Sequence, residues 1–324
     1  MTVIDIHTHM VSETWIKMIS DHGAPDYAVG IRPDGIRAMQ EYGVFRMAFV
    51  EEMLDYDLRL KVMDSEGIDV AIISLTGPNV YWGLAEHSAA AAQAVNDNMY
   101  AAQIAHPDRI RYLASLPWQH PDLAIEELER TCNNGAVGVM VLANIRGMAL
   151  SDPFLAPIWR AIDDRGLPVL VHPTDPPGHQ DMDLPSVGGS IPFLLDTTLA
   201  IARLVFDGFF DRYTNLKFIA SHGGAAIPAS HGRMDLFWKH GAPSNRTIDQ
   251  APSSHLKRIY LDAVVYQMNA LEMSIDLVGS KQVMFGTDFP HPTDIPGLLE
   301  RARALPKNQS NAILGENAMR VFNL

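Results

Sequence analysis

A single cysteine, Cys132, in 324 residues excludes an intramolecular disulfide. The expected setting is therefore a reducing compartment, in the simplest case the cytoplasm. Basic residues are also scarce: 25 Lys and Arg face 38 Asp and Glu, for a formal net charge of −13 and a pI of about 5.4. That imbalance disfavours nucleic acid or an anionic membrane as the main partner, because both recruit clustered Lys and Arg. No uncharged apolar stretch is long enough to span a bilayer. The opening VIDIHTH lacks the basic segment and apolar run expected of a signal peptide, and no internal repeat or low-complexity tract is present. What remains is globular: 47% hydrophobic and 19% charged residues imply a large core. Barrels of alternating strands and helices reach this length as one domain, so residues 1–324 are read as a single barrel domain.

Eight short runs rich in Val, Ile, Leu or Phe read as buried parallel strands: 3–6, 69–75, 111–116, 137–142, 167–171, 217–221, 259–265 and 283–287. Helical patterns fill most of the gaps. HSAAAAQAVNDNMYAAQIAHP predicts a helix over about 86–105 that stops before Pro107. DLAIEELERTCNNG, FLAPIWRAIDDRG and TLAIARLVFDGFFDRY predict others, the first two closing on a glycine. Strands that alternate with helices imply a parallel sheet, and eight of them a (β/α)8 TIM barrel. Residues 11–60 break the alternation. They carry RPDGIRAMQEYGVFRMAFVEEM ahead of a helix at LRLKVMDSEG, and read as an insertion after the first strand, packed over the barrel mouth. A second long connection, from Pro173 to Ile191, is rich in Pro, Gly and Asp and has the length of a lid or binding loop.

Metal-binding residue types sit where several of these strands end. VIDIHTHM places His7 and His9 there, LPVLVHP places His172, FIASHGG places His222 and VMFGTDFP places Asp288. Residues i and i+2 of a strand share a face, so His7 and His9 both project into the barrel. Catalytic Zn²⁺ sites use a few His and Asp or Glu ligands and leave a position for water or substrate, and His172 and Asp288 complete such a set. One histidine at a strand end is more often a solvated polar group than a ligand. Four strand ends that supply His or Asp to one rim, the rim where barrel active sites sit, are harder to assign to chance.

These residues resemble the amidohydrolase superfamily, whose signature is HxH after the first strand, His after the fifth and sixth, and Asp after the eighth. The resemblance covers nearly the whole chain. It falls in the branch of 2-amino-3-carboxymuconate-6-semialdehyde decarboxylase and related aromatic-acid decarboxylases. The segments that carry it are IDIHTH, VFRM, DSEGIDVAIIS, LVHPTD, SHGGAAIPASHGR, YLDAVVY, FGTDFPHP and ILGENAMRVFNL. The resemblance implies a metal held by His7, His9, His172 and Asp288. Zn²⁺ is the first choice and Mn²⁺ the second, since these ligands do not separate the two ions. The fourth strand runs into GVMVLANIRG without the Lys whose carbamate bridges two metals in binuclear members, which implies a mononuclear site. His222 is implied to polarise or deprotonate a metal-bound water or otherwise to handle the proton, with Gly223 and Gly224 permitting close backbone approach. Arg46 matches an arginine that grips the substrate carboxylate, a task suited to the bidentate guanidinium. Arg233 matches one that reaches the neighbouring subunit's site, so a homodimer is expected. Asp175 matches a position behind His172.

One departure concerns the pocket. The semialdehyde decarboxylases carry a Trp in the loop after the fifth strand, where this chain has DLPSVGGSIPF. Tyr81 and Trp82 offer an aromatic wall from another side, or simply pack in the core. His179, in the same long loop, is a candidate of either kind, functional or solvated. The expected function is metal-dependent, cofactor-free decarboxylation of a small carboxylated aromatic or unsaturated acid, with the proton returned from His222 or Asp288. Hydrolysis of a lactone, an amide or a carbon–carbon bond needs the same residues. The alternative of another class is a non-catalytic barrel that binds a metal or an acidic ligand.

Overall fold

Eight strands hydrogen-bond in the order of the chain: β1 (Ile4–His9), β2 (Val70–Ser74), β3 (Ile110–Ser115), β4 (Gly138–Leu142), β5 (Pro168–His172), β6 (Lys217–Ala220), β7 (Tyr260–Asp262) and β8 (Val283–Met284). Each is parallel to the next. The ring closes where the chain beyond β8 returns beside β1: the Ile6 amide donates to the Phe285 carbonyl at 3.0 Å, and the His9 amide to the Phe289 carbonyl at 2.8 Å. This is the expected (β/α)8 barrel, in a computed structural model that describes residues 2–179, 189–242, 244 and 246–324. The strands are apolar on both faces because one face fills the barrel and the other is covered by helices. All five residues of β4 and all five of β5 are buried.

Strand lengths depart from the apolar runs for identifiable reasons. β7 stops at Asp262, whose carboxylate accepts from the Val264 amide at 3.1 Å and turns the chain. After Met284 the backbone leaves β7 and bonds to β1 instead. β1 continues past its apolar run to His9, and its pairing with β2 slips between Asp5 and Thr8. Such a bulge bends a strand and re-aims its side chains.

Helices Ala85–Ala105, Pro121–Asn133, Ala156–Asp164, Ile191–Phe206 and Met268–Val278 join successive strands. Gly135 (φ +83°) and Gly166 (φ +59°) follow two of them in the left-handed conformation, which closes each helix. The TLAIARLVFDGFFDRY pattern does not form one helix. Its helix starts at Ile191 and stops at Phe206, and left-handed Gly208 separates it from a short turn at Phe209–Arg212.

Residues 11–60 fold into a helix at Glu13–His22, a three-stranded antiparallel sheet (Tyr27–Ile31, Arg37–Glu41, Val44–Ala48) and the start of a helix at Tyr56–Glu66. Ser12 and Asp55 cap the two helices by accepting from the Trp15 and Leu58 amides. VFRM therefore lies on a strand. Most residues of this sheet are half-buried or exposed, so no period-2 pattern marks it in the sequence. The insertion contacts the loops at the C-terminal ends of the barrel strands: Trp15 Nε1 donates to the Asn79 carbonyl at 3.0 Å, Asp26 pairs with Arg146, and Arg46 lies 3.5 Å from Asp175. Among the described residues, no helix is long and apolar enough to cross a membrane.

Close approach of β4 to β5 requires glycine at 138, where a Cβ would lie 2.5 Å from the Pro168 carbonyl oxygen. Gly138→Ala is expected to destabilise the fold by about 1–3 kcal/mol, the usual cost of overpacking a tight core. Urea unfolding measures this, and an unchanged midpoint would contradict the packing described.

Candidate metal centre

Three imidazoles converge on one carboxylate oxygen. Asp288 Oδ1 lies 3.2 Å from His7 Nε2, 3.0 Å from His9 Nε2 and 3.7 Å from His172 Nε2. One ligand atom from each of these four residues falls within 4.8 Å of all the others. The other Asp288 oxygen, Oδ2, lies 3.3 Å from His222 Nε2. The structure thus brings together all five strand-end residues singled out in the sequence. Two of them have unusual backbones: His222 (φ +53°) and Asp288 (φ +61°) are left-handed without being glycine. Gly223 beside His222 has no room for a side chain, since a Cβ would meet Val265 at 2.5 Å.

The far nitrogens explain why the near ones face inward. His7 Nδ1 donates to Asp262 Oδ2 at 2.6 Å and His172 Nδ1 to the Pro173 carbonyl at 2.7 Å, while His9 Nδ1 lies 3.2 Å from the Ser74 hydroxyl. Partners of this kind fix the tautomer and leave each Nε2 lone pair for a ligand bond. His172 Nε2 is buried without a hydrogen-bond partner. Three neutral-capable imidazole nitrogens and one carboxylate around a common point fit a single divalent metal ion.

Burial pushes His9 down to about 3 and His172 down to about 4, so both are neutral at physiological pH, as ligands must be. Burial also disfavours charge on His7, but Asp288 and Asp262 outweigh it and raise the imidazole to about 10. A cation held by the cluster would take the place of that proton. Asp288 resists ionisation through burial, yet His7, His172 and His222 hold its carboxyl well below the usual range.

Several residues behind the cluster were not singled out in the sequence. Asp262 accepts from His7 and also from the Gly223 amide at 2.8 Å, linking a ligand to the turn that carries His222. Asp5 accepts from the His7 amide at 3.1 Å and from the Thr287 hydroxyl at 2.6 Å. Arg59, 2% exposed, donates to the Thr8 hydroxyl and the His9 carbonyl, both at 2.5 Å, and stacks 4.6 Å over the Phe289 ring. His291 packs 5.2 Å from the His9 ring and bonds to the Thr76 hydroxyl at 3.0 Å. Asp262 escaped the rule that found the others, because it lies inside the apolar run read over 259–265 and only the structure ends the strand there.

The expected substrate-side residues are placed less uniformly. Arg46 lies 3.4 Å from Glu41 and 3.5 Å from Asp175. Arg233 is exposed on the helix Ile227–His240 and stacks 4.5 Å over Phe237 of the same helix. Trp82 is a core residue, fully buried with Nε1 on the Asn79 carbonyl, whereas Tyr81 lines a cavity at the mouth. His179 is not simply solvated: it lines the same cavity, 3.6 Å from Asp175. Of the loop from Pro173 to Ile191, residues 180–188 lie outside the described residues. Just beyond, Phe193 sets its ring edge-on to His172, 6.2 Å between centroids.

A parallel barrel with this rim defines a mononuclear metal-binding barrel. Comparison with known proteins narrows the class: the amidohydrolase family model matches residues 4–324, and the chain belongs to that family. It is 28% identical over 333 residues to 2-amino-3-carboxymuconate-6-semialdehyde decarboxylase of Dictyostelium discoideum, covering 99% of this chain and 91% of that one. It is 31% identical to gamma-resorcylate decarboxylase of Rhodococcus jostii (strain RHA1) over 264 residues, covering 72% and 77%. The crystal structure of 5-carboxyvanillate decarboxylase from Sphingomonas paucimobilis superposes with a TM-score of 0.85 at 26% identity, covering 100% and 99%.

Asp262→Asn keeps the side-chain shape but removes the charge behind His7. Loss of such a partner is expected to weaken metal affinity about 10–100-fold. Competition against a chromogenic chelator reads this directly, and an affinity within twofold of the parent would deny Asp262 that role.

Proposed function

We propose that this protein is a metal-dependent decarboxylase of a small carboxylated aromatic acid. The observation that carries the reading is the divided carboxylate of Asp288, with one oxygen toward three imidazoles and the other toward His222. The relatives described above are decarboxylases, which favours loss of CO₂ over hydrolysis. His7, His9, His172 and Asp288 would hold a divalent ion, which would supply positive charge against the electron pair left on the substrate as its carbon–carbon bond breaks. His222 and Asp288, in hydrogen-bond reach of one another, hold the proton that this electron pair takes up. One bond to the departing CO₂ is broken and one carbon–hydrogen bond is formed at the same ring carbon.

Arg46 orients the acid. Its contacts with Glu41 and Asp175 are long, and a guanidinium has five N–H donors, so it keeps donors for a substrate carboxylate. Zn²⁺ is our first assignment for the ion, on its affinity for imidazole and carboxylate, with Mn²⁺ as the competing choice that elemental analysis decides. The free and half-buried Cys132 fits a cytoplasmic protein.

The working unit is a homodimer in which Arg233 serves the neighbouring site. In support, Leu236 and Phe237 beside Arg233 are 52% and 60% exposed, and Ile191, Leu195 and Leu199 form an exposed apolar stripe on a helix packed against theirs. Mixing inactive Arg233→Ala chains with inactive His222→Asn chains is then expected to restore about a quarter of parental activity, since half of the dimers regain one site. No recovery after subunit exchange would place Arg233 outside the partner's site.

Carboxylated phenols and related acids, offered to the metal-loaded protein, test the reaction itself. CO₂ release is expected, to stop on chelation and to return with added metal. His222→Asn, which the left-handed backbone tolerates, is expected to retain the metal while kcat falls about 10²–10⁴-fold. Turnover of lactones or amides without CO₂ would overturn the proposal.

A further inference from the structure

A cavity of about 220 Å³ opens at the barrel mouth, walled by the insertion and by the loops after β2, β4 and β5. Three of its lining side chains bring metal-binding atoms close together: one ligand atom from each of Glu41, Asp175 and His179 falls within 4.8 Å of the other two. None of the three belongs to the strand-end cluster. Glu41 ends the second strand of the inserted sheet, whereas Asp175 and His179 lie four residues apart in the loop after β5. That loop is fixed around Asp175, whose carbonyl accepts from the Asn144 side-chain amide at 3.1 Å, while the Thr174 amide donates to Asp196 at 3.0 Å. The side chains of Glu41, Asp175 and His179 are mostly withdrawn from solvent, at 14%, 17% and 14% exposure.

In its neutral ring His179 turns a lone pair on the cavity. Nδ1 donates to the Pro176 carbonyl at 3.2 Å, and Nε2 is buried without a hydrogen-bond partner among the described residues. Nε2 faces Asp175 Oδ2 at 3.6 Å, too far for a hydrogen bond but close to the separation of about 3.4 Å between two ligand atoms on one tetrahedral Zn²⁺. The carboxylates are compensated only in part. One guanidinium serves both, with Arg46 3.4 Å from Glu41 and 3.5 Å from Asp175, beyond the length of about 2.7–2.9 Å of a charge-assisted hydrogen bond. Burial and the neighbouring Asp175 push the Glu41 carboxyl up to about 7, a sign of negative charge that lacks a cation. Tyr81, 2% exposed, lines the same cavity with a hydroxyl that makes no hydrogen bond of ordinary geometry among the described residues. Buried polar atoms left in this state are costly, and an ion with a bound water would relieve acceptors and hydroxyl together.

We infer that Glu41, Asp175 and His179 form a second divalent-metal site, separate from the strand-end centre, and that an ion there fastens the loop after β5 to the inserted sheet. Two carboxylate oxygens and one imidazole nitrogen suit Zn²⁺ and leave a position for water. The ion and Arg46 compete for the same two carboxylates. An ion bonds three side chains of two segments at fixed distances, which joins them more firmly than the long contacts of one partly exposed guanidinium. The site stands whatever reaction the strand-end centre carries out.

Equilibrium dialysis against Zn²⁺ alone, with bound metal counted by elemental analysis, tests this. The parent is expected to hold about two ions per chain, and His179→Gln and Glu41→Gln about one each. The ion that each variant keeps, at the strand-end centre, shows that it is folded. Amide hydrogen exchange then locates the second ion: going from one bound equivalent to two is expected to slow exchange at residues 37–41 and 174–179 about threefold or more. Two variants that hold as much Zn²⁺ as the parent, or exchange at those residues unmoved by the second equivalent, overturn the site and leave an adventitious ion only. A parent that holds one ion, kept in both variants, overturns the second site and spares the strand-end centre. A parent that holds none overturns both.

Discussion

Everything at the rim depends on the seam where the first strand meets the segment beyond the last. His7 and His9 stand near the start of the chain and Asp288 near its end, so their convergence is a product of barrel closure. The seam is hydrogen-bonded at several levels. Backbone bonds join Ile6 to Phe285 and His9 to Phe289, the Asp5 carboxylate takes the Thr287 hydroxyl, and the Thr8 hydroxyl donates to the Phe289 carbonyl at 2.8 Å. Arg59 lies across it, bonded to Thr8 and His9 on one side and stacked on Phe289 on the other. A buried anion such as Asp288 is tolerable only when its charge is compensated in fixed geometry, and the seam fixes that geometry.

The same closure sustains backbone strain. Left-handed conformations at His222 and Asp288 cost on the order of 1–3 kcal/mol each, and persist where the surroundings over-determine them. At Asp288 the amide donates to the His7 carbonyl at 2.7 Å and the carbonyl accepts from the His291 amide at 3.0 Å. At His222 the carbonyl accepts from the Ala225 amide at 2.9 Å, and the next amide, Gly223, is held by Asp262. Asp262 therefore grips His7 with one oxygen and the turn of His222 with the other. His7 and His222 are set by a common support, so neither can be re-aimed without the other.

This division explains what was legible in the sequence. The four residues of the cluster and His222 could be read because a polar residue that ends a buried apolar run stands out against it, and because several such ends share one rim. Asp262 lies inside the apolar run read over 259–265, and only the fold shows that the strand ends there and turns the carboxylate to His7. Arg59 is harder still. It lies in a helix whose apolar and polar residues show little periodicity, and only the fold reveals that its guanidinium is buried under β1. The inserted sheet leaves little trace because its strands are half-exposed, so neither alternation nor continuous hydrophobicity marks them. For Trp82 the sequence left two readings, since an aromatic next to a strand end suits a pocket wall as well as a core, and the core claims it here.

The centre and the mouth are supported by different parts of the chain. The clustered histidines and Asp288 are held by strands, by buried carboxylates and by the seam, all within the barrel's own hydrogen-bond network. The cavity at the mouth is walled by the insertion and by loops, joined through polar contacts such as Arg46 with Asp175 and Arg146 with Asp26. Partly exposed pairs of this kind contribute little to stability. Their residues can therefore change with small effect on the fold, whereas changes behind the ligands disturb closure itself. In physical terms the barrel fixes the cluster of histidines and Asp288, and the insertion and loops around the mouth are the part free to vary.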